Sequence, residues 1–358
     1  MRCTKCVLPD TTPNISFDEN GVCNYCHTYK KVKYEGEEKL KSVLNALKQK
    51  DKKYDCIIGL SGGRDSSYAL LKLVKDYNMR VLAVNYYNPF TDPQAKRNID
   101  NAVKKLGVDL ISFESKNNTH EKTFEHNFKV WLKHPSPATI PMMCISCKVV
   151  FCEIIKYAKM NDIKCVVVGH NPYEDTSFKK ELINISRDQD HKSTFVKILY
   201  GVLANTAKTP AYYHPKCIPT MVKGYLYGDP HALGPRLFAS DIKFIDLFYY
   251  IPWDEQEVLS RIKNEIGWDY PQNLNSSWRF DCKVSHLKDL MYLNTLNMTE
   301  KDDLYAIMVR EGIITREEAL KRLAAENVVY LDEIKEVLNQ VGLDEKFILE
   351  RLNEIKSI

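Results

Sequence analysis

Two groups of residues in this 358-residue chain have the types and spacing to do chemistry. The first is Ser61-Gly62-Gly63-Arg64-Asp65-Ser66, which follows the apolar run Asp55–Leu60 and opens a helical pattern over Ser66–Tyr77. Two glycines let the backbone approach a polyphosphate closely. Amide N–H groups at the helix start face such an anion, and the Ser61 and Ser66 hydroxyls can add donors. Asp65 repels phosphate but suits a Mg²⁺ bridging the phosphates, directly or through water. No Gly-x4-Gly-Lys-Ser/Thr string occurs, so the Walker loop is excluded. A second polar string, Gly169-His170-Asn171-Pro172-Tyr173-Glu174-Asp175, follows the apolar run Lys164–Val168.

The second group is cysteine. Eleven are present, and in a reducing compartment that number points to metal ligation or catalysis rather than disulfides. Cys3-x2-Cys6 and Cys23-x2-Cys26 have the spacing of a four-thiolate zinc ribbon, with Glu19-Asn20-Gly21 as a turn before the second pair. So short a segment has no core of its own, and the metal would hold it folded. His27 reads as a bystander. Cys144-x2-Cys147 precedes a helical pattern, where thiol pKa values fall. Cys56, Cys152 and Cys165 lie in apolar contexts and read as core.

These groups need a scaffold, and the chain divides into three regions. Residues 1–35 are the zinc-ribbon-like segment, 50–255 alternate strand and helix patterns, and 256–358 read almost wholly as helix. Strands are expected at Asp55–Leu60, Arg80–Tyr86, Val108–Phe113 and Lys164–Val168, with helices at Ser66–Tyr77, Pro93–Leu106 and Lys148–Met160. Such alternation predicts an α/β fold, a doubly wound parallel sheet with ligands at the strands' carboxyl ends. Residues 185–240 are rich in Pro, Gly and aromatics and read as a loop-rich, substrate-facing insertion. In the tail, Thr299 with Asp302, Thr315 with Glu318, and Asp344 mark helix starts, and the tail reads as packing and oligomer contacts. The net charge of +4 neither demands nor excludes a polyanion, and the lysine clusters at 30–31 and 48–53 form no basic stripe. No apolar run has the ~18–20 residues of a membrane span, and no secretion signal is evident, so a cytoplasmic protein is expected.

Ser61 through Ser66 resemble the signature of the PP-loop ATP pyrophosphatases. The resemblance implies a HUP-like fold and cleavage of ATP between the α and β phosphates. It also implies adenylation of a carbonyl or amide-like oxygen before a nitrogen or sulfur nucleophile displaces AMP. Ser61, Gly62, Gly63, Arg64, Asp65 and Ser66 would bind ATP, joined by Gly169, His170 and Asn171. Asp65, Ser66, Asp175, Cys144 and Cys147 are the expected catalytic residues. Pro172-Tyr173-Glu174 departs slightly from the family's second motif. Thiolating members hold an iron–sulfur cluster on a comparable Cys-x-x-Cys plus a distant third cysteine. Here that would be Cys144, Cys147 and Cys282, with Cys217 the second choice for the third position. A structural pair or a second zinc remains the alternative.

Further strings resemble the N-acetyl sugar amidotransferase family of lipopolysaccharide and flagellin sugar pathways. They are Cys6-Val7-Leu8-Pro9-Asp10-Thr11, Pro141-Met142-Met143-Cys144, Trp278-Arg279-Phe280-Asp281 and Ile314-Thr315-Arg316-Glu317-Glu318-Ala319. This implies conversion of a sugar or nucleotide-sugar N-acetyl group into an acetamidino group, with ATP, Mg²⁺ and ammonia. No Gly-x-Cys-x-Gly nucleophile elbow is present, so separate glutaminase and ammonia-channelling subunits are expected. The alternative is tRNA thiolation of an adenylated base at a Cys144/Cys147/Cys282 centre. A third reading is a non-catalytic nucleotide sensor, against which the intact Asp65 and Ser66 count.

Overall fold

The computed structural model describes residues 1–174, 177–186 and 191–355, the side chains of 191–195 excepted. Five strands form one parallel sheet: β1 Cys56–Gly59, β2 Val81–Tyr86, β3 Asp109–Phe113, β4 Cys165–Val168 and β5 Lys243–Asp246. Their order is β3-β2-β1-β4-β5. Ile57 of β1 pairs with Leu82 of β2 and Val166 of β4, and these three face one apolar layer. Ile58, Ala83 and Val167, one residue on, belong to the layer on the opposite face. Burial on both faces is why β1 and β4 read as continuous apolar runs without alternation. The expected doubly wound sheet is therefore the observed one.

The chain winds outward from β1 to β3, then returns to lay β4 on the other side of β1. Connections leaving β1 and β4 diverge, which opens a crevice at their carboxyl ends. The Ser61–Ser66 turn and the Gly169-His170-Asn171 turn both start there.

Several elements differ from expectation. β5 was not foreseen, because Lys243-Phe244-Ile245-Asp246 is a short edge strand bounded by charges. The helix Thr119–Lys133 was also missed; its N-cap, Asn118, has a left-handed backbone and makes no side-chain cap. Residues 185–240 are not loop-rich among the described positions but hold the helices His191–Ala207, Ile218–Tyr227 and Leu233–Phe238. Pro219 sits in the first turn of its helix, where proline is tolerated. Gly224 permits close packing, since a Cβ there would meet Ile145 Cδ1 at 2.7 Å.

The tail forms the helices Val284–Leu296, Glu300–Glu311, Arg316–Glu326, Leu331–Gln340 and Glu345–Glu354. Thr299 and Asp302 make a reciprocal capping box, and Thr315 and Asp344 cap as their sequence context predicts. The cysteine-rich N-terminal segment docks on this tail. Arg316 Nε donates to the carbonyls of Cys3 and Cys6 at 3.0 and 2.9 Å, and Arg2 pairs with buried Asp302 at 2.7 Å. No single helix among the described residues is long and apolar enough to cross a membrane. One bent pair, Pro137–Cys144 with Cys147–Met160, meets the length and composition and contributes to the wall of the central cavity.

Candidate active site

The turn after β1 is held from behind by the chain around it. Gly62 has φ +81°, and a Cβ there would lie 2.1 Å from the Ala95 carbonyl oxygen, so only glycine fits. Its own carbonyl accepts hydrogen bonds from Asn98 Nδ2 (3.1 Å) and Trp268 Nε1 (3.0 Å). Within the turn, the Gly63 amide donates to Ser61 Oγ at 3.2 Å, and the Ser61 and Ser66 hydroxyls lie 3.1 Å apart. Asp65 receives hydrogen bonds from Trp253 Nε1 (3.0 Å) and Arg64 Nε (3.2 Å). Burial raises its pKa to about 7; Arg64 opposes that rise and Glu174 adds to it. A divalent cation would hold the carboxylate ionised. Arg64 lines the cavity, but its guanidinium is engaged by Glu255 at 2.8 Å and stacks over Trp253, so it orders the loop.

A cavity of about 800 Å³ lies in front of this turn. Ser61, Gly63, Asp65 and Ser66 line it, as do Gly169, His170 and Asn171 after β4. Asn171 Oδ1 accepts the Tyr173 amide, while its buried Nδ2 makes no hydrogen bond within the described residues. A buried donor without a partner is costly, and a nucleotide oxygen would satisfy it. Asp175 lies outside the described residues. Its neighbour Glu174 takes hydrogen bonds from Trp278 Nε1 (2.5 Å) and Arg279 Nη2 (3.3 Å), tying the second motif to the tail.

The same cavity is also lined by Cys144, Cys147 and Cys282, all half-buried. Cys282 arrives from the tail because its segment is stitched to the loop after β2. Asp92 N–H donates to Asp281 O at 3.1 Å, Lys283 N–H donates to Phe90 O at 2.9 Å, and Thr91 bridges Cys282. Asn88 Nδ2 reaches both Cys282 Sγ (3.3 Å) and Cys147 Sγ (3.6 Å). Burial lifts the Cys147 thiol well above its usual range and pushes Cys282 up to about 12. A metal would be needed to make them thiolates. Cys217 is buried and does not line the cavity.

Cys3, Cys6, Cys23 and Cys26 gather their sulfurs within 4.8 Å of one another, all buried. Cys3 and Cys26 sulfurs lie 3.9 Å apart, and those of Cys6 and Cys23 3.7 Å apart. A tetrahedral ion with Zn–S bonds of about 2.3 Å sets its ligands roughly 3.8 Å apart, so the four residues fit zinc. Amides of Cys6 and Cys23 donate to Cys3 Sγ at 3.4 and 3.2 Å, the second shell such a site needs. His27 is turned to Asp18 at 2.9 Å. The inner cysteines do not meet the same 4.8 Å limit. Among the described residues, the outer four are the group that meets it.

Sequence reasoning missed Asn98, Trp253, Trp268, Asn88 and His120. Each comes from an element distant in sequence and carries no local motif.

Residues 54–209 match the family described as tRNA methyl transferase HUP domain. With the observed parallel sheet, that match gives this region a HUP-like fold. A similar sequence is that of the uncharacterized protein MJ1599 of Methanocaldococcus jannaschii. It is 29% identical over 179 residues, covering 48% of this chain and 59% of that protein. The chain thus spans less than two thirds of that relative. Similar solved structures include the U34-tRNA thiolase NcsA from Methanococcus maripaludis with its [4Fe-4S] cluster. That likeness has TM-score 0.35 and 16% identity, over 90% of this chain and 88% of that one. Another is the NMN synthetase of Francisella tularensis, at TM-score 0.29 and 14% identity over 67% and 97%.

Proposed function

We propose that this protein cleaves ATP to AMP and pyrophosphate, adenylates an oxygen of a second substrate, and passes that substrate to a nucleophile near Cys144, Cys147 and Cys282. One observation carries the reading: the Ser61–Ser66 turn and the three cysteines line one cavity. The substrate oxygen attacks the α-phosphorus and pyrophosphate leaves; Asp65 would hold a Mg²⁺, which would balance the charge of the leaving group. The nucleophile then expels AMP, which carries that oxygen away. Ser61 and Ser66 hydroxyls and the free Asn171 amide would orient the nucleotide.

Three thiols beside the site favour sulfur as the nucleophile and a nucleobase of transfer RNA as the acceptor, in line with the tRNA-related domain match. Cys144, Cys147 and Cys282 would hold an iron–sulfur cluster, which would supply a binding place for the added sulfide that acts as the nucleophile. Zinc at Cys3, Cys6, Cys23 and Cys26 would be structural.

A second reading has its own support. Pro141, Met142, Cys144, Trp278, Arg279 and Asp281 belong to the strings that resemble the sugar amidotransferases, and all line this cavity. There an N-acetyl sugar would be adenylated, and ammonia from partner glutaminase and channelling subunits would give the acetamidino product. Both readings place the reaction in the cytoplasm.

The test is pyrophosphate release from ATP by the anaerobically reconstituted protein. One arm supplies unmodified transfer RNA with sulfide, the other N-acetylated nucleotide sugars with ammonium. Stimulation and thiolated product in the first arm support sulfur transfer; stimulation and nitrogen incorporation in the second establish amidination. Asp65→Ala should abolish release in either arm with the fold intact. Undiminished release by that variant overturns the mechanism.

A further inference from the structure

The loop after β2 and the first turn of the helix Thr119–Lys133 converge on the inner cysteines, and two of their side chains have no part in the mechanism above. Asn88, buried, accepts the Phe90 amide on its Oδ1 at 3.0 Å. That bond fixes the amide's orientation, so the atom facing the sulfurs is the NH₂ group. An amide nitrogen only donates, and here it reaches Cys282 Sγ at 3.3 Å and Cys147 Sγ at 3.6 Å. His120 is buried too, with Nε2 3.8 Å from Cys147 Sγ. Its Nδ1 lies 2.8 Å from the Tyr86 hydroxyl, and its ring sits parallel to Tyr86 and edge-on to Phe90. A Tyr86 hydroxyl that donates to Nδ1 would leave the imidazole proton on Nε2, toward the sulfur.

We propose that Asn88 and His120 are positioning residues that donate hydrogen bonds to the sulfurs of Cys147 and Cys282 and thereby raise the reduction potential of the centre held there. The proposal rests on the reading of Cys144, Cys147 and Cys282 as cluster ligands. Two rigidly oriented donors on acceptor-only sulfurs disperse thiolate charge. Dispersed charge makes the added electron of the reduced state easier to hold, and hydrogen bonds to the sulfurs are among the factors that set a cluster's potential. Tyr86 acts through His120 by fixing its tautomer. A cavity that merely packed two cysteines would have no need for donors on both.

The experiment is anaerobic iron–sulfide reconstitution of the full chain, followed by iron counting, visible spectra and a spectroelectrochemical titration. Asn88→Ala and His120→Phe should each bind the wild-type amount of iron and titrate at a more negative potential than wild type. The double variant should shift further, and His120→Gln, which restores an N–H donor, should recover part of the shift. Asn88→Asp keeps the acceptor for the Phe90 amide and so preserves the loop if the alanine variant fails to fold. It should shift in the same direction, and further, because it places a negative charge at the sulfurs. Full iron binding with unmoved potentials in Asn88→Asp and His120→Phe overturns the proposal. Loss of iron in His120→Phe that His120→Cys restores also overturns it, by making His120 a ligand. A wild-type chain that takes up no cluster overturns the underlying reading and this inference together, which distinguishes the two failures.

Discussion

The outer and inner cysteines of this chain are built to opposite specifications. Cys3, Cys6, Cys23 and Cys26 are buried and mutually close, and their sulfurs meet one another and the backbone amides of Cys6 and Cys23. Hydrogen bonds from Cys23 and Cys26 lower the Cys6 thiol pKa. Cys144, Cys147 and Cys282 are half-buried and face a cavity, and polar side chains are aimed at the sulfurs of Cys147 and Cys282. Four ligands close a coordination sphere, and three beside a cavity leave it open. Closed sites hold structure, and open ones can react.

The largest effect should come from breaking the open set. Cys282→Ser should reduce thiolated product to background while the melting temperature stays within about 2 °C of wild type, as expected for a change worth under 1 kcal/mol. Product assays and thermal melts of the same preparation check this. Full activity in that variant would demote the inner set to packing and favour the amidination reading. Cys23→Ala in the closed set should do the reverse. Structural zinc contributes on the order of 10–16 kcal/mol in isolated fingers, so its loss should release the first ~30 residues. The rest of the chain has its own core and should stay folded. Metal analysis and hydrogen exchange of the N-terminal amides read this out. Retained zinc with full amide protection would sink the assignment.

A smaller effect tests how the closed set is used. Arg316 donates from the tail to the Cys3 and Cys6 carbonyls. Arg316→Ala should cost about 1–2 kcal/mol by leaving those carbonyls without their charged donor. Denaturant melts would show it, and a null result would mean that the metal alone holds the segment in place.

How legible these sets were in the sequence follows from distance along the chain. Each Cys-x2-Cys pair and the Ser61–Ser66 turn are local, so spacing alone exposes them. Strands β1 to β4 were legible because burial on both faces forces unbroken apolar runs. Cys282 could be nominated by resemblance only, since what brings it to Cys147 is the pairing of residues 281–283 with the loop at 90–92. Asn88 and His120 had no such cue. A single amide or imidazole is informative only once its neighbours are known. Composition misled at residues 185–240, where prolines and glycines that suggested loops instead start helices or admit close contacts.

A third set of cysteines supplies the control. Cys56 and Cys165 lie at the starts of β1 and β4, fully buried in the apolar layer and away from either site. Burial raises the Cys56 thiol well above 9.0 and pushes Cys165 up to about 12. The sign follows directly. In the unfolded chain these thiols ionise near pH 9, while in the fold they keep their protons, so the native state binds more protons between about pH 9 and 12. Stability contributed by each is intact below pH 9 and falls as pH rises, by up to ~1.4 kcal/mol per pH unit. Cys165→Ala should therefore cost roughly 1 kcal/mol at pH 7 through the lost sulfur contacts. Its deficit should shrink as pH climbs past 9. Denaturant unfolding of wild type and variant at pH 7, 9 and 10 decides it. A deficit that stays constant would mean the Cys165 thiol ionises normally in the fold, and that burial in this sheet does not by itself distinguish inert cysteines from the two ligand sets.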